Sequence, residues 1–142
     1  MTIINAKSGD LKEIIKYSTL LNKPEKAKPD IIGRCVADNR VWIAKDRNFT
    51  TAYVMVELFD EKQKYFSNSI FISELYVDEK YRGQGLGSAL VKMALQADYP
   101  ERYDYFSLTH DPEEEWLTRF YERFGFKKIG ATDVGNIMLV KK

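Results

Sequence analysis

The chain has one cysteine, Cys35, one histidine, His110, and four prolines in 142 residues. A single thiol excludes an internal disulfide, and one cysteine with one histidine falls short of a zinc cluster, so no metal site is expected. Net charge is scarce as well. Twenty-two basic residues face 21 acids, a balance of +1, without the positive excess of a nucleic-acid-binding domain. Apolar stretches such as AYVMV (52–56) fall far short of a membrane span. The opening MTIINAKSGD lacks the basic n-region and long apolar core of a secretion signal, so the expected location is cytoplasmic. No repeat, low-complexity block or Gly/Ser-rich linker divides the sequence. What remains is 44% hydrophobic and 30% charged at the usual size of one domain, so 1–142 reads as a single globular domain.

Periodicity gives the order of elements. Residues 2–6 read as a strand, and Ser8 or Asp10 as the cap of a helix carrying Leu11, Ile14, Ile15 and Ser18. The polar stretch 22–30, with two prolines and three lysines, reads as a solvated loop, with substrate gating as the alternative. A short helix over 31–38 follows, then strands at 41–45, 51–59 and 69–77. Leu86, Ala89, Leu90, Met93, Ala94 and Ala97 recur at three and four residues, the stripe of an amphipathic helix. After a strand at 103–109, Asp111-Pro112-Glu113-Glu114-Glu115 reads as a helix start, with cap, proline and first-turn acids in place. That helix buries Leu117, Phe120, Tyr121 and Phe124 and stops at Gly125, and strands at 126–130 and 136–141 close the chain. The order βα(α)βββαβαββ is α/β with a mixed sheet, not a doubly wound one.

The segment LYVDEKYRGQGLGSALVKM (75–93) carries the chemistry. A strand ends at Val77, and glycines at 83, 85 and 87 open a helix. Glycine permits positive φ and close approach of a ligand to the backbone, and the N–H groups of a helix start favour phosphate oxygens. A dinucleotide fingerprint starting at Gly83 would need glycine where Ser88 stands. A P-loop would need Gly-Lys-Ser/Thr, which is missing, as are kinase signatures. The plain alternative is a tight strand-to-helix turn with no ligand.

Arg82-x-x-Gly85-x-Gly87 resembles the Arg/Gln-x-x-Gly-x-Gly/Ala signature of the GNAT superfamily of acetyl-CoA-dependent N-acetyltransferases, and FYERFGFKKIG (120–130) resembles a second stretch of that family. The specific motifs lie between about Ile70 and Gly130. The resemblance implies a single-domain α/β fold, a mixed sheet splayed between strands four and five and flanked by helices. It implies pantetheine paired with the backbone of Leu75 and Val77, and pyrophosphate held by Arg82, Gly83, Gln84, Gly85, Leu86, Gly87 and Ser88. Tyr121 sits where the family places the tyrosine that protonates departing coenzyme A, and so is also expected to touch the cofactor; the alternative is a core tyrosine with its hydroxyl tied to backbone.

Glu74 is the only acid within strand four, and a glutamate amid Ile72, Leu75 and Val77 is costly to bury without a task. It is the first choice for the base, with amine orientation or a solvent-facing position as alternatives. Some relatives carry the acid earlier, where this chain has Ser73, Ile72 and Phe71. His110, at the end of strand five, is the second candidate, and a water the third. Glu74, Asp111 and Glu113 to Glu115 would attract a cationic amine, although acids at a helix start need no substrate. The expected activity is acetyl transfer from acetyl-CoA to a small primary amine in a ternary complex. The alternatives are a protein (lysine or N-terminal) acetyltransferase, a non-catalytic acyl-CoA-binding module, or a nucleotide-binding domain. No nucleic-acid or membrane partner is expected. Family members often form homodimers, and no interface motif marks this chain.

Overall fold

A computed structural model describes residues 1–22, 27–100 and 102–142. Residues 23–26 of the polar loop expected at 22–30 therefore lie outside the described residues, and its last two, Pro29 and Asp30, belong to a helix. In chain order the elements are β1 (Thr2–Asn5), α1 (Leu11–Leu21), α2 (Pro29–Ala37), β2 (Val41–Asp46), β3 (Phe49–Phe59), β4 (Ser69–Val77), α3 (Leu86–Gln96), β5 (Tyr105–His110), α4 (Trp116–Glu122), β6 (Lys127–Ala131) and β7 (Ile137–Lys141), with short 3-10 turns at Ser8–Asp10 and Glu79–Tyr81. The strands follow the order β1-β2-β3-β4-β5-β7-β6. The chain divides into two compact units, 1–56 with 74–97 and 57–73 with 98–142, and β3 and β4 run through both.

The first unit holds an aliphatic and aromatic core. Ile14 and Tyr17 of α1, Ile32, Cys35 and Val36 of α2, Val41 and Ile43 of β2 and Tyr53 and Met55 of β3 are buried together, with Tyr76 packed against them. The intervening strand residues Trp42, Ala44, Ala52, Val54 and Val56 are buried too, and α3 packs on β2. A sheet covered on both faces reads as continuous apolar runs, which explains the lack of alternation in WIAK and TAYVMV. Each fully buried aliphatic side chain here stabilises by roughly 1.5–3 kcal/mol. The start of α1 is fixed by Asp10, whose carboxylate accepts from Lys7 N at 2.8 Å and pairs with Lys45 Nζ at 2.7 Å.

In the second unit, β4 and β5 pair in parallel only over Ser69–Tyr105, Ile70–Phe106 and Phe71–Ser107, while β5 continues to His110 and β4 through Ile72 and Ser73. Buried hydroxyls tie the first of these pairs to the last: Ser69 Oγ donates to Phe66 O at 2.6 Å, so the 2.7 Å contact with Ser107 Oγ is a bond donated by Ser107. β5 pairs antiparallel with β7, and β7 with β6.

One expectation is corrected. The helix does not start at Asp111. Asp111 Oδ1 accepts from Glu113 N at 2.8 Å and its carbonyl accepts from Glu114 N at 3.0 Å, closing a turn of its own, and α4 begins at Trp116. An aspartate followed by proline serves a turn as readily as a helix cap. The helix also ends earlier, at Glu122, so Phe124 lies in the turn that Gly125 closes with φ of 96°.

Candidate functional site

The glycine-rich turn is as the residue types demand. Gly83 and Gly85 take φ of 79° and 82°, and Gly85 is the left-handed N-cap of α3. An L-residue pays roughly 1–2 kcal/mol for that conformation. A Cβ at either position would meet nothing within 4 Å, so glycine is used here for its dihedral freedom and not for packing space. Ala89 N, bonded to Gly85 O at 3.0 Å, is the first donor spent on the helix. Among the described residues the N–H groups of Gly83 to Ser88 meet no acceptor. Arg82 to Gly85 are exposed. The result is a run of backbone donors at the positive end of an eleven-residue helix, a setting suited to phosphate oxygens.

Leading into this turn, the end of β4 presents backbone of its own. Asp78 N donates to Thr51 O on β3 at 2.8 Å. Alternation along the strand then directs the N–H and C=O groups of Leu75 and Val77 away from β3, as pairing with an extended ligand requires. The Arg82 side chain folds back on this end: Nε donates to Val77 O at 2.9 Å and the guanidinium lies 5.5 Å from the Tyr76 ring centre. Val77 O keeps a second lone pair.

Glu74 lies on the β4 face that Tyr76 shares, half-buried. Its Oε1 accepts from Tyr53 Oη at 2.7 Å and its Oε2 from Asn22 Nδ2 at 3.2 Å. Asn22 Nδ2 also donates to Ser18 O at 2.9 Å, and two acceptor-only oxygens identify that atom as the amide nitrogen. Both donors are neutral, and among the described residues no cation pairs with the carboxylate. Burial, reinforced by Glu74, pushes the Tyr53 phenol well above its ordinary value, so it stays a donor. Neither Tyr53 nor Asn22 was marked by local sequence: they lie 21 and 52 residues away, and no periodicity connects them to Glu74.

The second unit carries Tyr121 and His110. Tyr121 is buried by ring contacts with Phe120 and Phe126, at 5.0 and 5.6 Å between centres. Its hydroxyl makes no hydrogen bond among the described residues, so the tethered core tyrosine is not what is found there. Burial raises its pKa well above the ordinary value, and the phenol keeps its proton. His110 is spoken for. Nδ1 is 2.8 Å from Asp111 O, which only accepts, so Nδ1 donates there; in the neutral ring Nε2 accepts from Thr118 Oγ1 at 2.7 Å. Thr118, the partner that makes the ring a brace between β5 and α4, carried no sequence signal.

Among the described residues no group of three metal-ligating side chains occurs, and no helix is long and apolar enough to cross a membrane. Comparison with known proteins gives consistent results. Residues 37–128 match the family model of the acetyltransferase (GNAT) domain. The chain is 30% identical over 95 residues to a spermine/spermidine N(1)-acetyltransferase of Bacillus subtilis (strain 168), covering 63% of this chain and 61% of that protein. It is 29% identical over 123 residues to an L-2,4-diaminobutyric acid acetyltransferase of Marinococcus halophilus, covering 84% and 66%. It thus spans between three fifths and two thirds of the length of these curated relatives. Its fold is that of Arabidopsis thaliana Naa50, solved with a bisubstrate analogue, at a TM-score of 0.78 and 19% identity over 99% of this chain and 97% of that one. The family model spans more than half of the sequence and contains both the glycine-rich turn and Tyr121: the chain belongs to the GNAT acetyltransferase family.

Proposed function

We propose that residues 1–142 are one acetyltransferase domain, which moves the acetyl group of acetyl-CoA to the primary amine of a small cationic acceptor by direct transfer. The reading rests on the run of uncommitted N–H groups from Gly83 to Ser88. A pyrophosphate carries the acceptor oxygens those donors lack, and two glycines with positive φ leave the backbone bare for it. Leu75 and Val77 would hold the pantetheine arm through backbone groups, and Arg82 would add charge beside the phosphates. When bound, acetyl-CoA supplies an activated acyl group and a thiolate leaving group.

The chain's own residues supply proton handling and recognition. Glu74, a carboxylate met by two neutral donors, can hold an ammonium ion and take up a proton from the amine, directly or through water. Tyr121 holds a proton for the departing sulfur and is kept neutral by burial. The small-amine relatives support this class of acceptor. The likeness to Naa50, at 19% identity, carries the fold alone and does not move the reading toward peptides.

Calorimetric titration with acetyl-CoA decides the cofactor. Wild type is expected to bind, and Gly85→Asp to weaken binding at least about thirty-fold, because a carboxylate would stand among the donors. Gly85→Asn, which tolerates the left-handed backbone without the charge, controls for folding. Binding should then license turnover with polyamines and diamino acids in preference to peptides. No heat and no thermal stabilisation of wild type by acetyl-CoA would sink the proposal.

A further inference from the structure

The exposed glycine-rich turn has little packing of its own: at Gly83 and Gly85 there is open space where a side chain would begin. Its direction is therefore set by the two elements that flank it, α3 on one side, capped by Gly85, and the root Asp78 to Tyr81 on the other. Asp78 Oδ1 accepts from Lys80 N at 2.9 Å and caps the short Glu79–Tyr81 turn, and Tyr81 Oη donates to Asp46 Oδ2 at 2.9 Å. The other carboxylate oxygen of Asp78 leads to α1. Tyr17 Oη lies 2.7 Å from Asp78 Oδ2 and 2.9 Å from Thr50 O, its one proton shared between them. Tyr17 is 8% exposed, and its ring packs on Tyr53 and Tyr76, with centres 6.5 and 5.2 Å away. It is a fixed post from which the root of the turn hangs.

Resting on the assignment of Gly83 to Ser88 to pyrophosphate, we propose that Tyr17 is a positioning residue for acetyl-CoA, acting through Asp78. It touches neither substrate. Asn22, the residue that follows α1, meets Glu74 through a bond that does not involve the Tyr17 hydroxyl. A defect at Tyr17 should therefore fall on cofactor affinity and spare the acceptor, whereas a general loosening of the core would move both.

The experiment compares Tyr17→Phe, Asp78→Ala, the double variant and Asp78→Asn by calorimetric titration with acetyl-CoA, thermal melting and steady-state kinetics. Tyr17→Phe keeps the ring and removes one hydrogen bond to a charged group; a roughly five-fold rise in acetyl-CoA Kd is expected, with the acceptor KM within about two-fold of wild type. Asp78→Ala should cost about ten-fold, and the double variant no more than Asp78→Ala, since both remove one link. Asp78→Asn is the rescue: its Oδ1 keeps the cap on Lys80 N while its amide donates to Tyr17 Oη, which passes its proton to Thr50 O. It should stay within about two-fold of wild type. An unchanged acetyl-CoA Kd in Tyr17→Phe, or a double variant equal to the product of the singles, overturns the proposal. Should Asp78→Ala not fold, Tyr17→Phe against wild type decides alone. Failure of wild type to bind acetyl-CoA is a different result and strikes at the assignment of the turn itself.

Discussion

Glu74 and His110 invite the same question and answer it differently. Each is a proton-accepting side chain on a strand that leads into a turn, and each has two hydrogen-bonding atoms with a partner apiece. For His110 that is the end of its capacity, because a neutral imidazole has one donor and one acceptor, both spent on Asp111 O and Thr118 Oγ1. For Glu74 it is half of its capacity. A carboxylate has about four lone-pair positions, and the two neutral donors that meet it cancel none of its charge. The difference teaches that a candidate base is recognised by unspent valence, not by residue type or depth.

The sharpest way to break that comparison is to remove the Glu74 charge and keep its shape. Glu74→Gln retains an oxygen for Tyr53 but carries no negative charge and no basic lone pair of comparable strength. A loss of about 10²- to 10³-fold in kcat/KM is expected with any amine the enzyme accepts, with acetyl-CoA affinity unchanged. Steady-state kinetics beside the calorimetric titration separate the two. Retention of activity within about five-fold would remove Glu74 from both roles and leave the amine to lose its proton to solvent.

Tyr121 comes next in size. Tyr121→Phe deletes a hydroxyl with no hydrogen bond among the described residues, so thermal stability should hold while kcat falls about 100-fold. The pH profile sharpens the point. Burial raises the phenol above its ordinary value of 10.0, so the folded enzyme keeps this proton through pH 10 and activity should show no alkaline limb from Tyr121 below that. The same sign governs stability. A group whose pKa is higher in the folded state stabilises fully below its unfolded pKa, and that contribution drains away as pH rises above 10. The variant should lose less stability than wild type on that side. A kcat untouched by the substitution would favour an acyl-CoA-binding module or a solvent proton.

The parts legible in the sequence are those encoded locally. Gly83, Gly85 and the stripe from Leu86 to Ala94 lie within a dozen residues, and the turn works through backbone, so the motif and the site are one object. The bounds of β4 at Ser69–Val77 matched, because its apolar run is closed by polar neighbours. Asp111 misled for the same local reason: an Asp-Pro-acid run satisfies a turn and a helix cap equally, and only the folded backbone, helical from Trp116, says where α4 begins. The surroundings of Glu74 were illegible in principle. Tyr53 and Asn22 reach it through strand pairing and helix packing, and Tyr17 reaches Asp78 across 61 residues, distances at which one sequence has no pattern to offer.

The smallest expected effect completes the comparison from the other side. His110→Asn keeps an amide to donate to Asp111 O but is too short to meet Thr118 as well. If the ring is a brace, this variant should lose about 0.5–1.5 kcal/mol of stability, seen as a lowered melting temperature, while kcat/KM stays within about two-fold of wild type. A fold at full stability with activity reduced more than ten-fold would reverse the roles, making His110 the base and Glu74 the anchor of α1. Thr118→Val discriminates further. It removes the hydroxyl and leaves Nε2 of His110 without its donor, so a bracing histidine loses stability again. A catalytic histidine would instead gain a freer lone pair and keep or raise its rate.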